Sequence, residues 1–453
     1  MNFHEILTGQ RALFSSQKTK NLNFRKMYLE KLKTVITDHQ NLLCEAIYSD
    51  FGKSEFDTFT TEISFVLKDI DYYLKNLKRL AGPKKVWTNL VNQFASSKIY
   101  TEPLGCTLVI GAWNYPYQLS LSPVVASLAA GNTCILKPSE VAEHSMKAMA
   151  KIINENFPKD YLHVVEGGVE ETTELLKLKF DKIFFTGSPR VGKIVYEAAA
   201  KHLTPVTLEL GGKSPAIVTS HADFEVAAKR IVWGKFLNAG QTCVAPDYIL
   251  VDEKVKESFL DAMTQYLKKF SYTADAKHYT RIINTRNFER LTRLIDPEKV
   301  YHGGNSDAAI RYIEPTLLHN ISWDDTVMQE EIFGPILPVL TFQNFNEALL
   351  RISEQEKPLA AYLFSGNAEE KELFTQKISF GGGCINDVMM HLSNDHLPFG
   401  GVGNSGMGNY HGKYGFEAFS HQKSVLDRAT WGEPNLKYPP YTDEKLNWIK
   451  RLM

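Results

Sequence analysis

"DKIFFTGSPRVGKIV", Asp181 to Val195, reads as a buried strand that turns sharply into a helix. Ile183, Phe184 and Phe185 form a short apolar run, Thr186 and Gly187 turn the chain, Ser188 can cap, and Pro189 suits a first helical position. Val191, Ile194, Val195, Ala198 and Ala199 recur at helical spacing and predict one buried face. Gly192 falls where a side chain would keep that helix off the sheet. A helix starting here aims its unpaired N–H groups and positive dipole end at whatever lies above the strand. The run of glycine, four residues, glycine and lysine comes within one residue of a nucleoside-triphosphate loop, but Ile194 stands where a magnesium-holding hydroxyl is needed. The G-x-G-x-x-G dinucleotide pattern is also absent. Taken alone, the stretch is either a phosphate loop or a strand–helix turn with a structural glycine.

The same rhythm extends in both directions. Cys106–Gly111, Thr133–Leu136, Leu162–Val165, Lys182–Phe185 and Val206–Leu210 read as strands. A second set includes Ala216–Val218, Tyr248–Val251, Ile336–Leu340 and Ala360–Phe364. Alternation with amphipathic segments predicts the α/β class, as two tandem open parallel-sheet domains. Residues up to about position 80 read as a helical lead-in. Within it Phe56, Phe59, Ile63, Val66, Leu67, Ile70, Leu74 and Leu77 keep helical spacing. A Gly82-Pro83 break and an extended stretch near Lys98–Glu102 follow.

Composition narrows the function. Among 453 residues, 51 Lys and Arg nearly cancel 52 Asp and Glu, so no global field favours nucleic acid or an anionic membrane, and a small-molecule partner is expected. Cys44, Cys106, Cys134, Cys243 and Cys384 are widely spaced without a C-x-x-C pair, which argues against a disulfide framework and a zinc site. The start, MNFHEILTGQRALF, lacks the apolar run of a signal peptide, and no stretch of about 18 apolar residues suggests an integral membrane segment. A cytoplasmic, metal-free protein is the expectation.

Four places carry chemistry with a bland alternative beside each. Glu209 ends the alternating strand VTLEL and is either a solvated edge glutamate or a carboxylate at a site. Cys243 follows the end of a helix capped by Asp223, in GQTCVAPDY, and is either an inert buried thiol or a loop nucleophile. Asn114, in GAWNYPY at the carboxyl end of the first strand, either makes a turn with Pro116 or donates to an oxyanion. Lys137 and Glu140, in LKPSE, either grip ribose hydroxyls or open a capped helix.

These stretches together resemble the aldehyde dehydrogenase superfamily. The matches are WNYP at Trp113–Pro116, KPSE at Lys137–Glu140, FTGS with VG at Phe185–Gly192, LELGGKSP at Leu208–Pro215, GQTC at Gly240–Cys243, EEIFGP at Glu330–Pro335 and LPFGG at Leu397–Gly401. They span nearly the whole chain in the family's order. The short N-terminus and GVGNSGMGNYHGKYGFEAFSH look like the class 3 branch, which oxidises fatty and aromatic aldehydes with NAD or NADP. The resemblance implies that Cys243 attacks the aldehyde, that the Asn114 amide and the Cys243 N–H hold the oxyanion, and that Glu209 activates the water releasing the acid. It implies that the Cys243 thiol is either depressed below its usual value of about 8.5 or ionised with the coenzyme's help.

For NAD or NADP the resemblance implies Lys137, Glu140, Thr186, Gly187, Ser188, Gly192, Gly211, Glu331 and Phe333. Tyr115, Trp233 and Phe399 are implied substrate walls, with Phe65 a further candidate and His411 at a tunnel mouth or on the surface. Arg190 is a solvated charge or an extra phosphate contact. The implied organisation is a Rossmann-like coenzyme domain with its lead-in over 1–210, a catalytic domain over 211–390, and a glycine-rich return segment over 391–415 lining the site. Segments 91–102 and 416–425 would form a small β element joining a homodimer. Glu209 weighs against a CoA-acylating relative, because transfer to CoA needs no water-activating base.

Overall fold

A computed structural model describes residues 2–433 and 435–452. Its first sheet is built around Lys182–Thr186. That strand is parallel to Cys106–Ile110 on one side and Val206–Glu209 on the other, and Thr133–Lys137 and Leu162–Val164 continue the sheet beyond Cys106–Ile110. Successive strands thus add outward in opposite directions from Cys106–Ile110. The loops leaving the carboxyl ends of Cys106–Ile110 and Lys182–Thr186 diverge there, which is where a sheet of this topology places its ligand crevice. On the outer edge Gly406–Met407 returns antiparallel, with Gly406 opposite Glu209.

The helix Pro189–Ala200 forms as its sequence predicts. The Ser188 hydroxyl accepts from Val191 N–H, and Pro189 occupies the first turn, where no N–H is required. A Cβ on Gly192 would come within 2.7 Å of Leu210 Cδ2, so the bare glycine lets the helix settle on the neighbouring strand. The buried stripe is narrower than predicted. Val195 and Ala199 are buried, but Ile194 is 52% exposed.

The second sheet runs in the order Val300–His302, Thr316–Leu318, Ile336–Phe342, Tyr248–Asp252, Pro215–Val218, Ala360–Phe364, Gly382–Ile385, with only the first pairing antiparallel. A third sheet joins Lys84–Val86, Ala95–Pro103 and Ser420–Arg428, the last two in unbroken antiparallel register from Pro103 opposite Ser420 to Ala95 opposite Arg428.

The lead-in helices Leu22–Asp38 and Ser64–Ala81 pack on Gln118–Ala130, which is buried from Leu119 onward, and Gln40–Phe51 packs on Glu143–Asn154. The predicted stripe from Phe56 to Leu77 breaks at its start. A π-helical turn at Phe59–Ile63 shifts the phase, leaving Phe56 and Phe59 exposed and turning Glu62 and Ile63 inward. Among the described residues, no helix is long and apolar enough to cross a membrane.

Candidate active site

The loop bearing Cys243 is held in an uncommon backbone shape. After the helix Phe224–Phe236, capped by Asp223, the residues Asn238, Ala239 and Gly240 take φ of 54°, 51° and 72° in succession. Left-handed backbone costs a non-glycine residue about 1 kcal/mol or more, so neighbouring contacts must enforce it. Asn238 Nδ2 donates to the carbonyls of Asn114 (2.9 Å) and Gln241 (3.2 Å). Gln241 Nε2 donates to Asn238 O and Arg281 O, and its Oε1 accepts from Ile283 N–H. A Cβ at Gly240 would lie 2.3 Å from Gly334 O, which locks this loop against the Glu330–Pro335 turn. Cys243 emerges half-buried.

Asn114 is 3% exposed and donates one amide hydrogen to Gln241 O at 3.0 Å, which leaves its second N–H free. Glu209 is also buried, because Gly406–Met407 pairs over the strand that would otherwise be an edge. Neither carboxylate oxygen has a hydrogen-bond partner, and burial holds the Glu209 carboxyl well above the usual carboxylate range. The solvated-edge alternative is therefore excluded. The Cys243 thiol is pushed up to about 12, first by burial and then by the carboxylates of Glu331 and Glu209. This is opposite to a depressed thiol and corrects that arm of the expectation. It also means that sulfur, Glu209 and Glu331 are close enough to feel one another's charge.

The crevice of the first sheet suits a dinucleotide by its own features. Thr186 lies opposite Glu209 in register, and its buried hydroxyl has no partner. Gly187 and Gly211 are bare where a Cβ would come within 2.6 Å of the Phe185 ring and 2.0 Å of Glu331 Oε2. Exposed Ser188 opens the twelve-residue helix whose first N–H groups face the crevice. At the far side Lys137 is 1% exposed, donates to Pro138 O at 2.7 Å, and stands 3.5 Å from the half-exposed Glu140 carboxylate.

Across the crevice Glu331 is raised to about 8, by burial and then by Asp247. Phe333, at φ 50°, packs edge-on to Trp113 with ring centres 5.4 Å apart. Two residues that sequence reasoning missed hold this turn. Asp247 accepts from Ile332 N–H (3.0 Å) and from Lys213 Nζ (2.5 Å), which also donates to Glu330 O (2.8 Å). Lys213 lies inside LELGGKSP, so its place was visible but not its role. Arg190 is exposed at the helix start.

The candidate walls divide. Tyr115 is buried with its hydroxyl 2.7 Å from Thr242 Oγ1, so it packs beneath the Cys243 loop. Trp233 is 37% exposed and Phe65 half-buried. Phe399 stacks between His391 and His411 at ring separations of 6.1 and 5.2 Å. His411 is buried, and burial lowers it to about 4, which corrects the surface alternative for that residue.

Comparison with known proteins agrees across the chain. The sequence profile of the aldehyde dehydrogenase family matches residues 2–425. A 4,4'-diaponeurosporen-aldehyde dehydrogenase of Staphylococcus aureus is 47% identical over 97% of this chain and 96% of its own length. The dimeric NADP-preferring aldehyde dehydrogenase of Mus musculus is 47% identical over 97% of this chain and 98% of its own. Aldehyde dehydrogenase family 3 member A2 of Rattus norvegicus is 45% identical over 97% and 92%. The substrate-bound structure of Staphylococcus aureus AldH superposes with a TM-score of 0.97, at 46% identity and with both chains fully covered. Sheets, crevice, thiol loop and sequence thus agree, and the chain belongs to the aldehyde dehydrogenase family.

Proposed function

We propose that this aldehyde dehydrogenase converts medium- or long-chain aliphatic or aromatic aldehydes to carboxylic acids, with Cys243 as nucleophile, Asn114 as oxyanion donor and Glu209 as base. What supports the reading is a half-buried thiol that feels the charge of Glu209, an unpartnered buried carboxyl, and an Asn114 amide that holds Gln241, two residues before the thiol, with its second N–H spare. Cys243 acts as the thiolate, its proton having passed to solvent; its Sγ bonds to the carbonyl carbon, the C=O π pair moves to oxygen, and that oxygen, now negative, accepts from Asn114 Nδ2–H and Cys243 N–H. NAD or NADP, when bound, supplies a hydride acceptor and a positive ring that offsets the local negative charge. Loss of hydride from the carbon restores the carbonyl as a thioester on Cys243. Glu209, in its ionised form, then takes a proton from water, the water oxygen bonds to the carbonyl carbon, and the C–S bond breaks to release the acid and the Cys243 thiolate.

Lys137, Glu140, Thr186, Gly187, Ser188, Gly192 and Gly211 would hold the adenosine and pyrophosphate side of the coenzyme, with Glu331 and Phe333 at its reactive end. Trp233 and Phe399 would line the aldehyde's path, while Tyr115 supports it from below. We read 1–210 as the coenzyme domain, 211–390 as the catalytic domain and 391–415 as the segment closing the site. The exposed strand Ser420–Arg428 and residues 91–102 suit a homodimer, a state that the name of the mouse relative also carries. A cytoplasmic location fits this reading. Cys243→Ala is expected to abolish NAD(P)H formation, and Glu209→Gln to keep a stoichiometric burst while losing turnover. Unchanged steady-state rates in either variant would contradict the assignment.

A further inference from the structure

Outside the coenzyme crevice, one ion pair is among the charged groups sealed in the interior. Lys53 and Glu62 are 1% and 0% exposed and joined at 2.6 Å. Burying both charges is expensive unless every remaining valence is used. Here the valences point to one loop. Glu62 Oε2 accepts from Tyr117 N–H (2.9 Å) and Gln118 N–H (3.2 Å), at the start of the helix that follows Asn114. The Lys53 ammonium lies 4.1 Å from the centre of the Tyr115 ring, a cation–π contact strengthened by dryness. The Tyr115 hydroxyl meets Thr242 Oγ1 at 2.7 Å. Burial draws Lys53 down and Glu62 up, and their mutual contact opposes both changes.

The chain neighbours of that hydrogen bond are the two oxyanion donors. Asn114 precedes Tyr115, and Cys243 follows Thr242. The π-helical turn that interrupts the lead-in helix is what swings Glu62 inward, away from the phase of Phe56 and Phe59. We infer that the Lys53–Glu62 pair is a positioning device for the oxyanion site: it clamps the Asn114–Gln118 loop and, through Tyr115 and Thr242, fixes the Cys243 backbone N–H against the Asn114 amide. The inference rests on Cys243 being the nucleophile. Neither charged residue touches the reacting atoms.

The test uses the full chain with hexanal and NAD, and in parallel the coenzyme-free hydrolysis of p-nitrophenyl acetate, an activated ester that needs the thiol, the oxyanion donors and Glu209 but no hydride transfer. Lys53→Met/Glu62→Gln removes both charges without stranding either, and the carbonyl oxygen of the introduced glutamine can still accept from the loop. Its kcat is expected to fall about tenfold on both substrates, with KM changed less than about threefold, because misplacing donors weakens transition-state contacts more than binding. Tyr115→Phe alone is expected to lose a similar factor, and to add nothing in the charge-free background, since both act through one linkage. A wild-type kcat in the charge-free variant, or losses that multiply when Tyr115→Phe is added, would overturn the inference. If the charge-free variant does not fold, a wild-type kcat in Tyr115→Phe overturns it alone. Cys243→Ala separates the two levels: activity surviving there removes the nucleophile assignment itself, whatever Lys53 does.

Discussion

The ligand-free enzyme should be protected against thiol reagents. The Cys243 thiol stands at about 12, against about 8.5 for a free cysteine. At pH 8 a free thiol is about one quarter ionised, and a group at 12 about one part in ten thousand, a ratio of about two thousand. The same gap of about four pH units corresponds to about 5 kcal/mol for forming the thiolate in place at pH 8. Carbamidomethylation of Cys243 by iodoacetamide, followed by mass spectrometry of its peptide, should therefore be slow in the absence of coenzyme. It should rise about tenfold per pH unit from pH 7 to 11 without levelling. One of the causes of the shift can be removed. Glu331, held to about 8, is charged above that pH, so Glu331→Gln should speed the reaction mainly on the alkaline side. Oxidised NAD should speed it at every pH. A rate that plateaus below pH 9 in the ligand-free protein would refute the claim that burial and two carboxylates suppress the thiolate.

Two further outcomes test the fold around the site. Gly240→Ala should destabilise the protein by about 3 kcal/mol in urea titration and depress activity, because its Cβ would sit 2.3 Å from Gly334 O on a left-handed backbone. His391 and His411, each lowered to about 4 by burial, bind protons more readily in the unfolded chain, so their stabilisation is complete above about pH 6.5 and is lost as pH falls toward 4. The loss is about 3 kcal/mol for each, and in His411→Phe the melting temperature should fall less steeply between pH 6.5 and 4.5 than in wild type.

Strands were legible wherever apolar runs were local. Lys182–Thr186 and Ala360–Phe364 are found within a residue of where their side chains predict them. Gly382–Ile385 was not, because its glycines have low strand propensity. They are required by contact instead: a Cβ on Gly383 would lie 2.1 Å from Ala361 O on the neighbouring strand. Ile194 and Phe56 misled because spacing reports a face and not whether another element covers it. The motif residues around Cys243, Glu209 and Asn114 were readable from their order along the chain, but their charge states were not. Glu209 owes its burial to a strand nearly two hundred residues away, and Lys53 is in contact with Tyr115 only through the fold.

During translation the Glu209 edge stays open to water until Gly406 and Met407 have left the ribosome and zipped onto it. The surroundings of the base are thus completed by a two-residue ribbon close to the carboxyl end of the sequence, which ties the acidity of one strand end to the docking of the last segment.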